Sequence, residues 1–406
     1  MIRPLAVAGA AALWLTCSAW ASAAARPGSD ERRAGEPRVI RLSGAPYALG
    51  RQHGEALRKE VRDSVEQVLG YFRRQGKIPW LRTALVNGWL DWPRHRSRPY
   101  VPPAYLEEMR GLADGAGIPL AEIERLHAVP DRTYTCANFA VWGRATVDGR
   151  LIHARNLDWS IDAGLQQWPV VFVVHPDGKR AFVSAGWAGF LGVLTGVNDA
   201  QISIGEVGAE TTEVRHDGIP MVWLMRRVME EAGGVEDAVA ILRAARRTVG
   251  VNYVIADAKV PEAVAVETTA VQLRAFRADD PAEHEVAYAR PVADAVFRAD
   301  TAIDPGIRNC QLASGGNPKT PGLELPTGSA YEKRYVGQAA GLSRAHGTMD
   351  LNGAQALAIA IAPDSNVQSV LIAWPELRLA NADGRTPAAK TAYHQYNLVG
   401  LLSEAQ

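Results

Sequence analysis

The chain contains 406 residues, and 47% of them are hydrophobic, so it has enough apolar material for a sizeable buried core. Its 44 basic and 44 acidic residues cancel, and the basic residues form no run or stripe. This composition gives no electrostatic reason to bind nucleic acid or an anionic membrane, and it favours small-molecule partners.

The first 23 residues are typical of an export signal. One charge, Arg3, precedes an apolar stretch from Leu5 to Trp14, and the small residues Ala21-Ser22-Ala23 fit the A-x-A processing rule. A membrane anchor is the alternative, but it would need about 20 uninterrupted apolar residues and this stretch is shorter. We therefore expect a signal peptide at residues 1–23 and an exported protein, periplasmic or secreted, without stable membrane insertion.

Helices dominate the next part of the chain. The segment from Ala24 to Arg38 is rich in Arg, Gly, Pro and Glu and predicts a tether, with folded structure beginning near Ile40. Apolar residues at three- and four-residue spacings predict a helix over residues 54–75. A second helix is predicted after Pro102-Pro103, ending near Gly115.

Short apolar strands alternate with turns after Cys136. The predicted strands are Asn138 to Trp142, Leu151 to Ala154, Val170 to Val174, Ala181 to Ala185, Val193 to Thr195, Ile202 to Gly205, Tyr253 to Ala256, Ala263 to Glu267, Val370 to Trp374 and Leu377 to Ala380. Helices are predicted over Met221 to Ala232, Val235 to Ala245 and Gly353 to Ile361. Because short turns imply antiparallel pairing, we expect an α+β fold of antiparallel sheets covered by helices.

The signatures of the common nucleotide-binding and hydrolytic sites are absent. The chain has no phosphate-binding loop, no Rossmann glycine motif, no G-x-S-x-G elbow and no H-E-x-x-H. Its nine histidines are scattered without the spacing of metal ligands, so we expect neither a metal nor another cofactor.

The cysteines are the first candidates for a functional site. After removal of a signal peptide only Cys136 and Cys310 remain, too few for a disulfide scaffold. Polar residues crowd a strand downstream of Cys136, where Arg155 and Asp158 would have to pair if they are buried. The alternative is a surface Arg/Asp turn beside a buried, inert cysteine.

The segment that follows this cysteine resembles the nucleophile strand of the penicillin acyltransferase (isopenicillin-N acyltransferase) family. The shared pattern is Cys136, the Asp148-Gly149 turn and Arg155-Asn156-Leu157-Asp158-Trp159. Choloylglycine hydrolases, penicillin V acylases and acid ceramidase-like amidases are similar in placing Arg and Asp three residues apart after the cysteine.

Four further segments, in the same order, are similar to motifs of this family. Tyr47 to Gly54 resembles Y-x-x-G-x-x-H-G, and Glu108 to Gly115 resembles E-x-x-G-x-A-D-G. Gly196 to Asp199 is similar to G-x-N-E, with Asp in place of Glu, and Gly250 to Asp257 to G-x-N-[FY]-x-x-A-D. The resemblance thus extends over most of the chain that follows the predicted signal peptide.

The resemblance implies a four-layer αββα sandwich of the N-terminal-nucleophile (Ntn) hydrolase type. It also implies self-cleavage between Thr135 and Cys136, which would divide the chain into an N-terminal segment, residues 24–135, and a catalytic segment, residues 136–406. Cleavage would free an α-amine on the residue that carries the thiol. Such amines titrate at about pH 7.7–8.0 and can act as a base, so no catalytic histidine is required.

Roles for individual side chains follow from the same resemblance. Cys136 would attack an acyl carbonyl, and Arg155 and Asp158 would orient its amine and thiol. Asn252 would bind the oxyanion, a contribution of roughly 3–4 kcal/mol where such donors have been removed. Asn198 would add a second donor or hold substrate. Arg334 lies in the segment Ser329 to Tyr335, which resembles the S-x-x-R-F/Y segment that carries a catalytic arginine in choloylglycine hydrolases. Lys333 in that role, or a surface helix, is the competing interpretation.

The function implied is hydrolysis or transfer of the acyl group of a small N-acyl amide through a Cys136 thioester. Trp159, Trp187 and Phe190 could line an acyl pocket, although aromatic residues in strands are also core residues. Two alternatives stay open: an autoprocessed ester hydrolase resembling phospholipase B-like proteins, and an uncleaved binding module.

Overall fold

The computed structural model describes residues 37–74, 79–131, 135–313, 317–318 and 330–403. The predicted signal peptide, residues 1–23, and nearly all of the predicted tether lie outside these residues. In the part of the chain that is described, no helix combines the length and the apolarity that a membrane crossing requires.

The helices fall into an N-terminal group of five and a later group that is interleaved with strands. Their bounds are α1 Pro46–Ala56, α2 Arg58–Arg74, α3 Pro79–Ser97, α4 Pro103–Ala116, α5 Leu120–Ala128, α6 Met221–Glu231, α7 Val235–Ala244, α8 Pro305–Cys310, α9 Ala330–Arg344, α10 Leu351–Ile361 and α11 Leu398–Ser403.

Most strands belong to two sheets. The strands are β1 Arg38–Gly44, β2 Thr135–Gly143, β3 Gly149–Asp158, β4 Pro169–Pro176, β5 Phe182–Trp187, β6 Thr195–Asn198, β7 Ile202–Gly208, β8 Val251–Asp257, β9 Glu262–Thr268, β10 Leu273–Phe276, β11 Ala295–Arg298, β12 Leu312–Ala313, β13 Asn317–Pro318, β14 Asn366–Ala373, β15 Glu376–Asn381 and β16 His394–Asn397. An eight-stranded sheet has the order β1-β4-β5-β6-β7-β8-β9-β10, and a six-stranded sheet has the order β11-β2-β3-β14-β15-β16.

Antiparallel pairing prevails, as the short turns predicted. The exception is β1, which pairs with β4 in parallel. Helices α1–α5 and the strands β2 and β3 of the other sheet lie between β1 and β4 in the sequence, and together they form the long connection that a parallel pair needs. The N-terminal segment therefore supplies the edge strand of the larger sheet.

The two sheets face each other, and helices cover their outer faces. Helices α6 and α7 pack on the eight-stranded sheet at β6–β9, whereas α9 and α10 pack on the six-stranded sheet at β2, β3, β11 and β14. Between the sheets, apolar side chains such as Val171, Val183, Val370 and Leu379 form one core cluster. This arrangement confirms the expected four-layer αββα sandwich of α+β class.

Most predicted elements are found, with shifted ends. The helix predicted over residues 54–75 is α2, which begins at Arg58 because a separate helix, α1, precedes it. The strand predicted at Val193 to Thr195 is displaced to β6, since the Val193 amide donates to the Val222 carbonyl at 3.2 Å instead of to a strand.

Four glycines let helices α1 and α4 cross at backbone contact. A Cβ on Gly50 would lie 1.8 Å from the Glu108 carbonyl oxygen, and one on Gly111 would lie 2.1 Å from that of Tyr47. Gly54 and Gly115, one turn further along each helix, are equally enclosed by the partner backbone. The two glycines of each motif are four residues apart and therefore lie on the same face of their helix.

Substitution of Gly50 by alanine should destabilise the protein, because neither backbone can yield to a Cβ at this crossing. We expect the free energy of unfolding to fall by roughly 1–3 kcal/mol or more, measured by urea denaturation.

The matched control is Gly88→Ala in helix α3, where a new Cβ would meet no atom within 4 Å. It should raise stability by up to about 1 kcal/mol, the helix preference of alanine over glycine. Equal effects of the two substitutions would show that the crossing is not the constraint.

Candidate active site

Cys136 is the second residue of β2 and is fully buried where the two sheets face each other. Its register partner on β3 is Leu157. The Cys136 backbone amide donates a hydrogen bond of 2.8 Å to Asp300 Oδ1. The peptide bond between Thr135 and Cys136 therefore lies next to a buried carboxyl group.

The Cys136 thiol contacts a buried ion pair. Arg155 Nη2 donates to Sγ at 3.2 Å and also binds Glu206 Oε1, which lies 3.9 Å from the same sulfur. Arg155 is further held by Thr195 Oγ1 at 2.9 Å. Arg155 and Glu206 are at most 1% exposed, so this pair is shielded from solvent screening.

The predicted pairing of Arg155 with Asp158 is wrong. Residues three apart on a strand point to opposite faces, and the two side chains accordingly find different partners. Asp158 binds Arg334 instead, and Asp158 Oδ1 accepts a hydrogen bond of 2.9 Å from Asn366 Nδ2.

Arg334 connects the two buried aspartates. From helix α9 its guanidinium binds Asp158 Oδ2 and donates to Asp300 Oδ2 at 3.1 Å. The side chain is 14% exposed, so the competing interpretation of Arg334 as part of a solvated surface is wrong. Because Asp300 also accepts a hydrogen bond from the Cys136 amide, Arg334 is linked to the predicted nucleophile through Asp300.

Burial controls the electrostatics of this cluster. It raises the pKa of the Cys136 thiol well above its usual value, an effect that Arg155 opposes and Glu206 reinforces. Burial also raises the pKa of Asp158, against the influence of Arg334, and raises that of Asp300 to about 7. The thiol is thus protonated at neutral pH and needs a base to become a nucleophile.

The charges of the cluster do not balance. Three carboxyl groups, Asp158, Asp300 and Glu206, face two guanidinium groups, Arg155 and Arg334. Fully ionised, the cluster carries +2 − 3 = −1. Burial is the main cause of the raised pKa of Asp300. Arg334 and the hydrogen bond from the Cys136 amide lower that pKa, whereas the neighbouring carboxyl groups of Asp158 and Glu206 raise it further.

Asn252 binds the loop that carries Asp300. Its Nδ2 donates to the carbonyl oxygens of Ala299 and Thr301, both at 3.1 Å, which uses both of its amide hydrogens. The two carbonyls flank Asp300, so Asn252 fixes the residue that binds the Cys136 amide. In this conformation the predicted oxyanion donor is occupied.

Two other buried side chains hold the same loop, residues 299–304. Gln311 Nε2 donates to the Asp300 carbonyl at 2.7 Å, and its Oε1 accepts from the Ala302 amide at 3.1 Å. Glu267 accepts from the amides of Ile303 and Asp304. Asp300 is therefore presented by a loop whose backbone is bound on several sides.

Asn198 is not brought to the cluster. Its Nδ2 donates to the carbonyls of Met229 and Ala232, and its Oδ1 accepts from the amides of Ala200 and Ile202. These four bonds use all its hydrogen-bonding capacity and tie the β6–β7 turn to the end of α6. The structure gives Asn198 a role in the fold and does not support its predicted role as a donor in the site.

Glu206 and Asp300 are the site residues that the sequence prediction missed. Glu206 lies in the apolar strand β7, where a carboxylate is unusual unless it is paired, so it carried a signal. Asp300 follows β11 among small residues and had no distinguishing pattern.

An apolar cleft lies beside β3, the strand that pairs with the cysteine strand β2. Its wall contains the three aromatic residues predicted for an acyl pocket, Trp159, Trp187 and Phe190, together with Leu157, the register partner of Cys136. The remaining lining residues are Val68, Leu126, Val129, Pro130, Leu165 and Leu194. Residues from both sides of the Thr135–Cys136 bond thus build the cleft together.

Cys310 lies apart from this site. Its sulfur accepts a hydrogen bond of 3.4 Å from Gln272 Nε2, and neither it nor Cys136 forms a disulfide. Among the residues that the structure describes, no cluster of His, Cys, Asp and Glu has the arrangement of a metal site.

The stacked sheets and their two helical layers, with a cysteine at the head of an inner strand, define an Ntn hydrolase fold. Residues 145–283 match the model of the family described as acyl-coenzyme A:6-aminopenicillanic acid acyl-transferase. The protein dcd1A of Dictyostelium discoideum is 30% identical over 305 residues, which cover 68% of each chain. The chain belongs to this acyl-transferase family.

Amidases are among the similar proteins. The N-acylethanolamine-hydrolyzing acid amidase of Oryctolagus cuniculus is 24% identical over 217 residues, 51% of this chain and 56% of that protein. A solved structure of the Caenorhabditis elegans orthologue of such an amidase is 14% identical, covers 59% of this chain and 92% of that one, and has a TM-score of 0.42.

Removal of the Arg334 cation should destabilise the protein by an amount that depends on pH. Arg334→Met, compared with its parent in a Cys136→Ala background, leaves two buried carboxyl groups uncompensated and should cost about 3–5 kcal/mol at pH 8. Because the folded-state pKa of both aspartates is already raised, they bind protons more readily than in the unfolded chain. Stability is then retained at low pH and lost as pH rises through the folded pKa, about 7 for Asp300.

The cost of Arg334→Met should therefore be smaller at pH 5.5 than at pH 8, measured by urea denaturation at both values. Arg385→Met is the control, since Arg385 and its partner Asp162 are 82% and 65% exposed. It should cost no more than about 1 kcal/mol at either pH. A cost of Arg334→Met that does not change with pH would contradict the assignment.

Proposed function

We propose that the protein is an autoprocessed N-acyl amide hydrolase or acyltransferase that uses Cys136 as an N-terminal nucleophile. The observation that carries this proposal is the environment of Cys136, in which backbone nitrogen and thiol are held by separate polar partners. Asp300 holds the nitrogen, and the Arg155–Glu206 pair contacts the sulfur.

The charge excess of the cluster supports cleavage before Cys136. In the uncleaved chain the Cys136 nitrogen is a neutral amide, and the cluster carries one negative charge in excess. A protonated α-amine at the same position would add one positive charge, bringing the sum to zero, and would lie 2.8 Å from Asp300. This balance supports the proposal of an N-terminal amine at the site, since its protonated form would be a buried charge stabilised by a buried counter-charge.

Self-cleavage would proceed through an ester-like intermediate. The Cys136 sulfur attacks the Thr135 carbonyl carbon, the peptide C–N bond breaks, and a thioester forms while the nitrogen takes up the thiol proton. Water then hydrolyses the thioester, leaving a carboxyl group on Thr135 and the free thiol and amine on Cys136. Glu206, 3.9 Å from the sulfur, is the nearest candidate to relay the thiol proton.

Turnover of an amide would repeat this chemistry on a bound substrate. The α-amine in its neutral form takes the thiol proton, the thiolate attacks the acyl carbon, and the resulting ammonium group passes the proton to the leaving amine as the C–N bond breaks. Water, or a second amine, then takes the acyl group from the thioester and restores the thiol. Arg155, which donates to the sulfur, would stabilise the thiolate that attacks.

The apolar cleft suggests the substrate class. It lies beside β3, which pairs with the cysteine strand, and is lined by aliphatic and aromatic side chains, so it suits a long hydrocarbon acyl group and offers no charged partner to an acidic one. The relative from Oryctolagus cuniculus is named for hydrolysis of N-acylethanolamines, which are N-acyl amides. We therefore propose N-acyl amides with an apolar acyl chain as substrates.

Two other functions predict different outcomes. An ester hydrolase of the phospholipase B-like type would use the same nucleophile and cleft on an acyl ester. A binding module would keep the chain intact and would leave the unbalanced carboxyl group protonated at neutral pH.

The purified protein should consist of two fragments that meet at Thr135 and Cys136, detected by intact-mass measurement. The fragments should co-elute on size exclusion without denaturant, because buried contacts such as Glu108–Arg226 join the two segments. Cys136→Ala should remain whole, and Cys310→Ala, which alters the other thiol, should be cleaved like wild type. An intact wild-type chain that turns over substrate would exclude autoprocessing.

Acyl amides should be better substrates than matched acyl esters. Wild type should release ethanolamine and free fatty acid from N-palmitoyl ethanolamide, measured by mass spectrometry. The Cys136→Ala variant, which lacks the nucleophile, should release neither. Addition of a primary amine would reveal transfer as a new amide. Turnover of the palmitoyl ester alone would favour the ester hydrolase instead.

A further inference from the structure

The segment after β5 forms part of the cleft wall and is bound by the N-terminal segment. This cleft loop, residues 188–194, carries the lining residues Phe190 and Leu194 and follows Trp187. Its residues are buried, and Gly189 adopts a φ of +91°. Because this buried loop is not part of a strand, its backbone amides need hydrogen-bond acceptors other than a neighbouring strand.

Two histidines of the N-terminal segment satisfy two of these amides. His53 Nε2, on α1, accepts from the Gly189 amide at 3.0 Å. His127 Nε2, on α5, accepts from the Leu191 amide at 2.8 Å. Both histidines are at most 2% exposed, so water cannot replace them.

The histidines are in the protonation state that this contact requires. Nδ1 of His127 donates to the Ile123 carbonyl at 2.8 Å, which leaves Nε2 as the acceptor. Burial lowers the pKa of His53 to about 3 and that of His127 to about 4, so both rings are neutral at neutral pH.

Ring packing fixes the same loop from the side. The His127 ring is stacked against Phe190, with centroids 4.9 Å apart and planes 4° apart, and against Trp223 at 4.8 Å. Arg226 Nη1 donates to the Leu191 carbonyl at 2.8 Å while Arg226 also pairs with Glu108. The Gly189 and Leu191 amides and the Phe190 ring are therefore tied to helices α1 and α5, which precede the proposed cleavage position. The Leu191 carbonyl is tied to α6, which follows that position and is joined to α4 by the Arg226–Glu108 pair.

We propose that His53 and His127 are positioning residues that hold the cleft loop in place and so set the preference of the enzyme for long apolar acyl chains. The inference rests on the proposed function, which it deepens by assigning acyl-chain selection to the N-terminal segment. Neither histidine touches the Cys136 cluster in any contact described above, so they should act on the acyl end of the substrate and leave the chemistry at the sulfur unchanged.

Two substitutions of His127 separate its acceptor from its ring. His127→Phe keeps a ring between Phe190 and Trp223 but leaves the Leu191 amide without an acceptor. His127→Gln loses the ring but places an amide oxygen where it can accept. The exposed His346 serves as the control in His346→Phe.

The readout is the ratio of kcat/KM for the N-palmitoyl and N-butanoyl amides of one fluorogenic amine. We expect the ratio to fall roughly tenfold in His127→Phe, because a buried amide left unpaired favours a rearranged loop. It should stay near the wild-type value in His127→Gln and in His346→Phe. Butanoyl turnover and self-cleavage should persist in all three and report that each variant is folded.

An unchanged ratio in His127→Phe, or an equal loss on both amides in folded protein, would overturn the inference. Should His127→Phe fail to fold, His53→Leu and His53→Gln give the same comparison at the Gly189 amide.

Binding to uncleaved protein separates this inference from the proposed function. Dansyl-labelled undecanoic acid is titrated into Cys136→Ala with and without His127→Phe. If wild type hydrolyses no amide but the probe binds more weakly when His127→Phe is present, the proposed function fails and the positioning role stands. Equal affinities overturn the positioning role.

Discussion

The hydrogen bond between the Cys136 amide and Asp300 is the interaction on which the site depends. It brings the start of β2, the loop after β11 and, through Arg334, helix α9 to one point between the sheets. A buried carboxyl group is costly unless it is paired, and this one is shared among an amide, a guanidinium and a loop bound by Asn252. The start of β2, the loop after β11 and helix α9 are therefore held together by one buried carboxyl group.

The N-terminal segment is integrated with the sheets at three levels. Its strand β1 extends a sheet, its helices cross at glycine contacts that admit no side chain, and its polar residues enter the core. Such interdigitation explains why the apolar cleft has walls from both segments. It also explains the two sequence motifs around Gly50 and Gly111, whose glycines are required where the two helix backbones meet. The other polar residues of these motifs, His53 and Glu108, bind residues that follow Cys136 in the chain.

The layers of the fold could be predicted from sequence because they follow local patterns. Alternating apolar residues and tight turns fix antiparallel strands, and amphipathic spacing fixes helices such as α2. The partners of Arg155 could not be predicted in this way, since Glu206 is brought to it by the stacking of two sheets. Asn198 and Asn252 were assigned by motif, and both motifs mark strand positions whose side chains bind backbone carbonyls.

The parallel pairing of β1 with β4 has a consequence for assembly. Strand β4 contains five consecutive buried apolar residues from Val170 to Val174, and β1 is its neighbour on one side. Without the N-terminal segment this strand would become the free edge of the sheet, with unpaired amides and carbonyls along an apolar run. Such an edge is a template for intermolecular strand addition. Strand β1, from the segment that precedes the cysteine, covers this edge of the sheet.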